Sequence, residues 1–141
     1  MTEAGLELLR VSRETLLSNS KLWEMIKDRV YDVPLFNSKH PYVSIDELAS
    51  RDISGTGVRL EEHRLRLKAY SRGSSKEGAL LVLNTACQVL RVHLKLPNYR
   101  VILFVIESLK VNLMQDRRTT EATGHLKILT EPEPRSLDVA S

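Results

Sequence analysis

Residues Val58 to Pro97 read VRLEEHRLRLKAYSRGSSKEGALLVLNTACQVLRVHLKLP. From His63 to Tyr70 apolar and polar residues alternate strictly. His63, Leu65, Leu67 and Ala69 fall on one side, and Arg64, Arg66, Lys68 and Tyr70 on the other. A period of two is the mark of a strand with one buried and one wet face. Val58 and Leu60 are out of phase with the inward set, which predicts a bulge or a departure from the sheet near Glu61-Glu62. Arg72-Gly73 makes a turn. Ser74 then stands three residues before Glu77, the reciprocal capping arrangement that opens a helix. Leu80, Leu83, Cys87, Leu90 and Leu94 follow as one helical stripe, with Ala79 and Ala86 beside it. Arg91 and Lys95 suit the helix C-terminus, and Pro97 stops the helix, so the helix is expected over Ser74–Lys95.

Outward from this unit the chain reads in order. A first helix opens at Thr2 or Glu3 and runs to about Ser18, carrying Leu6, Leu9, Leu16 and Leu17. Ser18-Asn19-Ser20 interrupts it, because these side chains compete for backbone hydrogen bonds. A short helical piece through Leu22, Trp23, Met25 and Ile26 follows, with Trp23 expected as a core anchor. Arg29 to Pro34 is a short extended segment, and Leu35 to His40 a loop. Pro41 to Glu47 is a strand, and Ser50 to Gly57 a mobile surface loop. Tyr99 to Met114 is apolar on both faces in its first half, which predicts a central strand whose far end projects from the body. Gln115 to Thr119 turns, and Glu121 to Thr130 returns to complete a hairpin. The expected fold is α+β: a mainly antiparallel sheet of about four strands, with an N-terminal helix and a central amphipathic helix on one face and a long C-terminal hairpin. Residues 1–131 form one domain, and 132–141 a flexible C-terminal tail.

Composition narrows the function. At 141 residues, 42% hydrophobic and 28% charged, the chain has the make-up of a globular domain. Its longest apolar run, Val101 to Ile106, is far below the roughly 20 residues that cross a bilayer. Glu3 and Glu7 stand where a secretory signal would carry positive charge, so a cytoplasmic location is expected. The single cysteine, Cys87, excludes an internal disulfide and reads as a small core residue. A net charge of +3 permits nucleic-acid contact without demanding it.

Catalytic signatures are missing. His40, His63, His93 and His125 have no second ligand at metal-binding spacing. Ser54 has no base motif, and Ser54 to Gly57 lacks the ending of a phosphate loop. Asp46-Glu47 and Glu61-Glu62, adjacent on strands, point to opposite faces. No catalytic residue, cofactor or metal is therefore expected. The row Arg64, Arg66 and Lys68 could meet phosphates, or could be a salt-bridged face or a subunit contact.

Several pieces in one order carry a resemblance: Leu22-Trp23, then Arg29-Val30-Tyr31-Asp32-Val33-Pro34, then His40-Pro41-Tyr42-Val43-Ser44-Ile45. After them come a strand ending in Tyr70-Ser71-Arg72 before a helix, then Leu96-Pro97, and a closing Thr123-Gly124-His125-Leu126 hairpin. Over Lys21 to Glu131 the chain resembles the tail-completion, or tail-terminator, family of long-tailed siphophages and phage-like gene transfer agents. That family's hairpin turn usually carries glycine. Arg117-Arg118 occupy it here, which implies a different tip.

The resemblance implies a structural, non-enzymatic protein made in the bacterial cytoplasm and carried in the tail of the particle. It implies a homo-oligomeric ring, commonly a hexamer, at the head-proximal end of the tail tube. Its expected partners are further copies of itself, the tail tube protein and a head connector or stopper. DNA would pass through the ring without sequence recognition, and no membrane is involved. Interface residues are expected in the loop (Asp52, Ser54, Thr56), the basic row (Arg64, Arg66, Lys68) and the hairpin tip (Asp116, Arg117, Arg118, Thr119). The alternative is a small nucleic-acid-binding accessory domain that uses the basic row.

Overall fold

The computed structural model describes residues 2–34, 38–73 and 75–133. In chain order these build α1 (Glu3–Ser18), α2 (Ser20–Ile26), β1 (Val30–Tyr31), β2 (Tyr42–Asp52), β3 (Glu61–Arg72), α3 (Lys76–His93), β4 (Tyr99–Leu113) and β5 (Thr119–Pro132). The five strands form one sheet in the order β1-β2-β3-β5-β4. Every pairing is antiparallel except β1 with β2. The α+β fold and its closing hairpin are as expected, with β1 as a fifth, two-residue strand that makes the sheet mixed.

Helix boundaries follow local chemistry. Thr2 caps α1 by accepting the Gly5 N–H, and Asn19 caps α2 by accepting that of Leu22, which is why the chain breaks at Ser18-Asn19-Ser20. Ser74, the expected cap of α3, lies outside the described residues. Ser75 stands at the N-cap without a side-chain cap bond. The helix ends at His93, with Leu94 at the C-cap, short of the expected Lys95. Its buried face is wider than the leucine stripe, because Val82 and Val89 are buried with Leu83, Cys87 and Leu90. Leu65, Leu67, Ala122, Leu126 and Ile128 meet that face from the sheet. Cys87 is buried, and burial pushes its thiol pKa up to about 12. Gly124 leaves room for the helix: a Cβ there would lie 3.3 Å from Leu83 Cδ1 and 3.4 Å from Cys87 Sγ.

Several expectations need correction. Tyr99–Leu113 is not central. It is the edge strand, paired only with β5, so its apolar residues meet solvent instead of a second neighbour. Nor does the hairpin project. β5 pairs with β3 along its whole length, from Glu61↔Thr130 to Arg72↔Thr119, and Thr119 and Thr120 are buried. Trp23 is no core anchor: it is 44% exposed, while Leu22 and Ile26 of the same helix fill the core. β2 continues through Ser50–Asp52, residues expected in a loop, because β3 supplies partners as far as Glu61. Beyond it Ile53 N–H bonds Leu60 C=O, and Gly55 and Val58 bond each other in both directions, so the expected loop is a tight hairpin end with Thr56-Gly57 at its tip. The bulge or departure expected near Glu61-Glu62 is not there, because both residues pair in regular register with β2 and β5; Val58 lies outside the strand and bridges Gly55. Pro132 and Glu133, expected in the tail, are held to the start of β4: Pro132 pairs with Tyr99, and Glu133 N–H bonds Asn98 C=O. Residues 134–141, and 35–37 of the expected Leu35–His40 loop, lie outside the described residues.

Candidate functional site: the bare sheet face, its two ends and the free edge

α1 and α3 pack on one face of the sheet, with α2 against both of them, and no described helix covers the other face. Arg64, Arg66 and Lys68 stand there, as their alternation requires. Each already has a carboxylate. Arg64 bonds Glu62 at 2.8 Å and also Glu107. Arg66 bonds Asp46 and Glu47, and Lys68 lies 3.5 Å from Glu121. These contacts hold the Glu62 carboxyl below its ordinary pKa and raise both guanidiniums. Asp46 and Glu47 were expected on opposite faces. A bulge between Ile45 and Glu47 shifts the register there, and both acids reach the same guanidinium.

At one end of the same face sits an aromatic group that the sequence reading missed beyond Tyr70. Tyr42 stacks on Tyr70 with ring centroids 4.8 Å apart, and Tyr31 and His40 lie against Tyr42 at 5.5 and 5.1 Å. Burial and the Glu121 carboxylate push the Tyr70 hydroxyl pKa up. The pairing of β2 with β3 sets Tyr42 opposite Tyr70, and that of β1 with β2 brings up Tyr31, so a search for neighbouring aromatics in the sequence could not find them.

The same end carries the hairpin tip. Asp116 Oδ1 accepts the N–H groups of Arg118 and Thr119, and its Oδ2 accepts the Thr119 hydroxyl. These bonds favour the ionised form and bring its pKa down to about 2. Gly73 N–H donates to Arg118 C=O and Thr120 Oγ1 donates to Gly73 C=O, which bolts the tip to the turn before α3. Arg117 adopts φ +58°, the left-handed backbone that glycine takes most readily. Its side chain and that of Arg118 are exposed.

Asp52, Ser54 and Thr56 lie at the opposite end. The Ser54 hydroxyl and the Ser54 N–H, the latter 2.8 Å from Asp52 Oδ1, favour the ionised carboxylate of Asp52 and lower its pKa. With Glu3, Arg59 and Lys95, Asp52 and Ser54 line a polar cleft of about 870 Å³. The expected interface residues thus fall into three groups, one at each end of the sheet and one between them.

Behind the Asp52 end, His63 is fully buried, with Nδ1 2.7 Å from Ser50 Oγ and Nε2 2.9 Å from Thr130 Oγ1. Both ring nitrogens are occupied, so it is a satisfied core histidine. Burial lowers its pKa. Among the described residues no group of three His, Cys, Asp or Glu side chains is placed to hold a metal. No described helix is long and apolar enough to cross a membrane.

The fourth surface is β4. Ile102, Leu103, Val105, Leu109 and Leu113 are exposed along a strand with no neighbour on its outer side among the described residues. The signal was present in the sequence as a strand apolar on both faces, and only its place in the sheet was misread.

The fold thus presents a salt-bridged face, two hydrogen-bonded ends and an edge strand with exposed apolar residues. The chain belongs to the family described as tail completion protein gp17, whose model matches residues 13–131. It is therefore a structural protein of phage-type tails. Its fold is similar to that of a chain in the virion of a native gene transfer agent particle, with a TM-score of 0.78 at 16% identity, covering 92% of this chain and 99% of that one. No curated protein matches it.

Proposed function

We propose that this chain is a tail terminator. Six copies close into a ring on the head-proximal end of the tail tube, stop its growth and present a surface to the head connector or stopper, while DNA passes through without sequence recognition. Membership of the tail-completion family carries this reading, and the exposed apolar edge of β4 supports it, since water-facing edge strands are ordinarily short or charged. A ring stacked between other rings needs contacts at both of its ends. Asp52, Ser54 and Thr56 at one end of the sheet, and Asp116, Arg117, Arg118 and Thr119 at the other, are assigned to the neighbouring rings. Arg64, Arg66 and Lys68 belong to the open face, as a subunit contact or the channel wall. Their carboxylate partners leave them little spare charge for phosphate, which counts against an independent nucleic-acid-binding domain.

The test is to add purified protein to polymerising tail tube protein and image the products. Tubes of arrested length with a ring of density at one end are expected. Tubes that keep elongating with bare ends, together with strongly salt-dependent DNA binding by a monomer, would replace this reading with the nucleic-acid one.

A further inference from the structure

The two long sides of the sheet are unequal in cover. On one, β4 offers a 15-residue strand with nothing beyond it among the described residues. On the other, β1 pairs only with Val43 and Ser44 of β2, so Asp46–Asp52 is a second edge with no strand beyond it among the described residues. Rows of paired residues show that these edges stand at the same height. Ala49 pairs with Arg64, Arg64 with Lys127, and Lys127 with Val105; Asp52 leads in the same way to Val101. Three antiparallel pairings separate β2 from β4, so the two run in opposite senses. Rotating a second copy about an axis along the strands therefore brings its β2 beside β4 in antiparallel sense, the pairing that joins β2, β3, β5 and β4 within one copy.

Side chains on the two edges match. Lys110 of β4 and Lys127 behind it have no carboxylate within ion-pair distance among the described residues, while Asp46 and Glu47 of β2 share the single guanidinium of Arg66. One edge thus carries spare positive charge and the other spare negative charge. Leu103 and Val105 share the open face with Lys110, and the exposed Ala49 of β2 leaves room for them.

We propose that β4 of one copy adds onto Asp46–Asp52 of the next, joining successive sheets edge to edge, so that the occupant of the bare edge is a second copy of this chain. The proposal rests on the ring reading above and specifies the seam.

The test uses cysteine pairs in the full chain, with buried Cys87 left in place. Ala49→Cys/Val105→Cys protein is assembled on tail tubes, oxidised and run on a denaturing gel. Because closing a sheet staggers its register, Glu47→Cys and Arg51→Cys are each paired with Val105→Cys as well. At least one pair is expected to give a covalent ladder from dimer upward, since a disulfide needs Cα atoms within about 7 Å. Each single-cysteine variant should stay monomeric. Leu103→Lys/Val105→Lys, a change at exposed positions, should keep the circular dichroism spectrum of the folded protein and lose tube capping. If no pair ladders while wild-type protein caps tubes, or if the lysine variant still caps, the seam is wrong and the terminator reading stands. A cross-linked dimer from Val105→Cys alone would replace the head-to-tail seam with a β4–β4 contact. Wild-type protein that neither caps tubes nor associates with itself would overturn the ring and the seam together.

Discussion

Leu83 and Gly124 allow a quantitative check on how α3 seats on the sheet. Leu83 is fully buried, and the nearest sheet position opposite it is a glycine. Leu→Ala substitutions at buried sites cost about 2.7–5 kcal/mol, rising with the cavity that remains. Gly124 has no side chain to move into the space, so Leu83→Ala should fall in the upper part of that range, about 3–5 kcal/mol. Gly124→Ala in the wild-type background adds a methyl 3.3 Å from Leu83 Cδ1, 3.3 Å from Leu109 Cδ2 and 3.4 Å from Cys87 Sγ. The edge residue Leu109 can yield, whereas Leu83 and Cys87 are held on the buried face of the helix. Overpacking of about 1–3 kcal/mol then outweighs the roughly 0.4–1 kcal/mol that replacing glycine recovers from the unfolded chain. In the Leu83→Ala background the sign should reverse, because the new methyl enters the vacated space. The four proteins are compared by urea unfolding followed by far-ultraviolet circular dichroism, and the expected coupling is at least about 1 kcal/mol. Equal effects of Gly124→Ala in the two backgrounds would refute direct packing of Leu83 on Gly124.

Three further outcomes are expected. His63 resists protonation in the folded protein, so its contribution to stability is fully present above its ordinary pKa of 6.5 and is lost as pH falls through the lower folded value; His63→Gln should flatten the acid side of a Tm-versus-pH curve. Arg117→Gly should raise stability by up to about 1 kcal/mol in thermal melts, because φ +58° costs an L-residue roughly 1–2 kcal/mol and glycine's greater unfolded-state freedom offsets part of the gain. Leu22→Ala should cost about 2–5 kcal/mol in denaturant titrations and Trp23→Ala clearly less, since Leu22 is fully buried and Trp23 half-exposed; the reverse order would restore Trp23 as the anchor.

Elements whose period is set by burial on one side were legible in the sequence. The alternation from His63 to Ala69 and the stripe from Leu80 to Leu94 gave β3 and α3 within a few residues. The order of strands was not, because apolar residues on both faces of Tyr99–Leu113 suit a central strand as well as an edge awaiting a partner. Trp23 was misplaced for a related reason. Leu22, Trp23 and Ile26 are all apolar, and which of them turns inward depends on how α2 lies against α3. Asp46 and Glu47 escaped because one bulged residue reverses the side to which every later residue points. The hairpin tip was found by its polar residues, but the bond from Thr120 to Gly73 joins positions 47 apart, beyond any local pattern.

The position of β5 has a kinetic consequence. It lies between β3 and β4 although it is the last of the described strands in chain order, and it joins residues far apart in the chain, His63 and Thr130 among them, 67 positions apart. Until residues 119–132 have left the ribosome, β3 lacks one neighbour and β4 lacks its only one, so the centre of the sheet closes last. Such long-range closure is slow, and until it occurs β3 is paired on one side alone and β4 stands unpaired. Capture of this one late strand is therefore expected to limit how fast the chain completes its sheet.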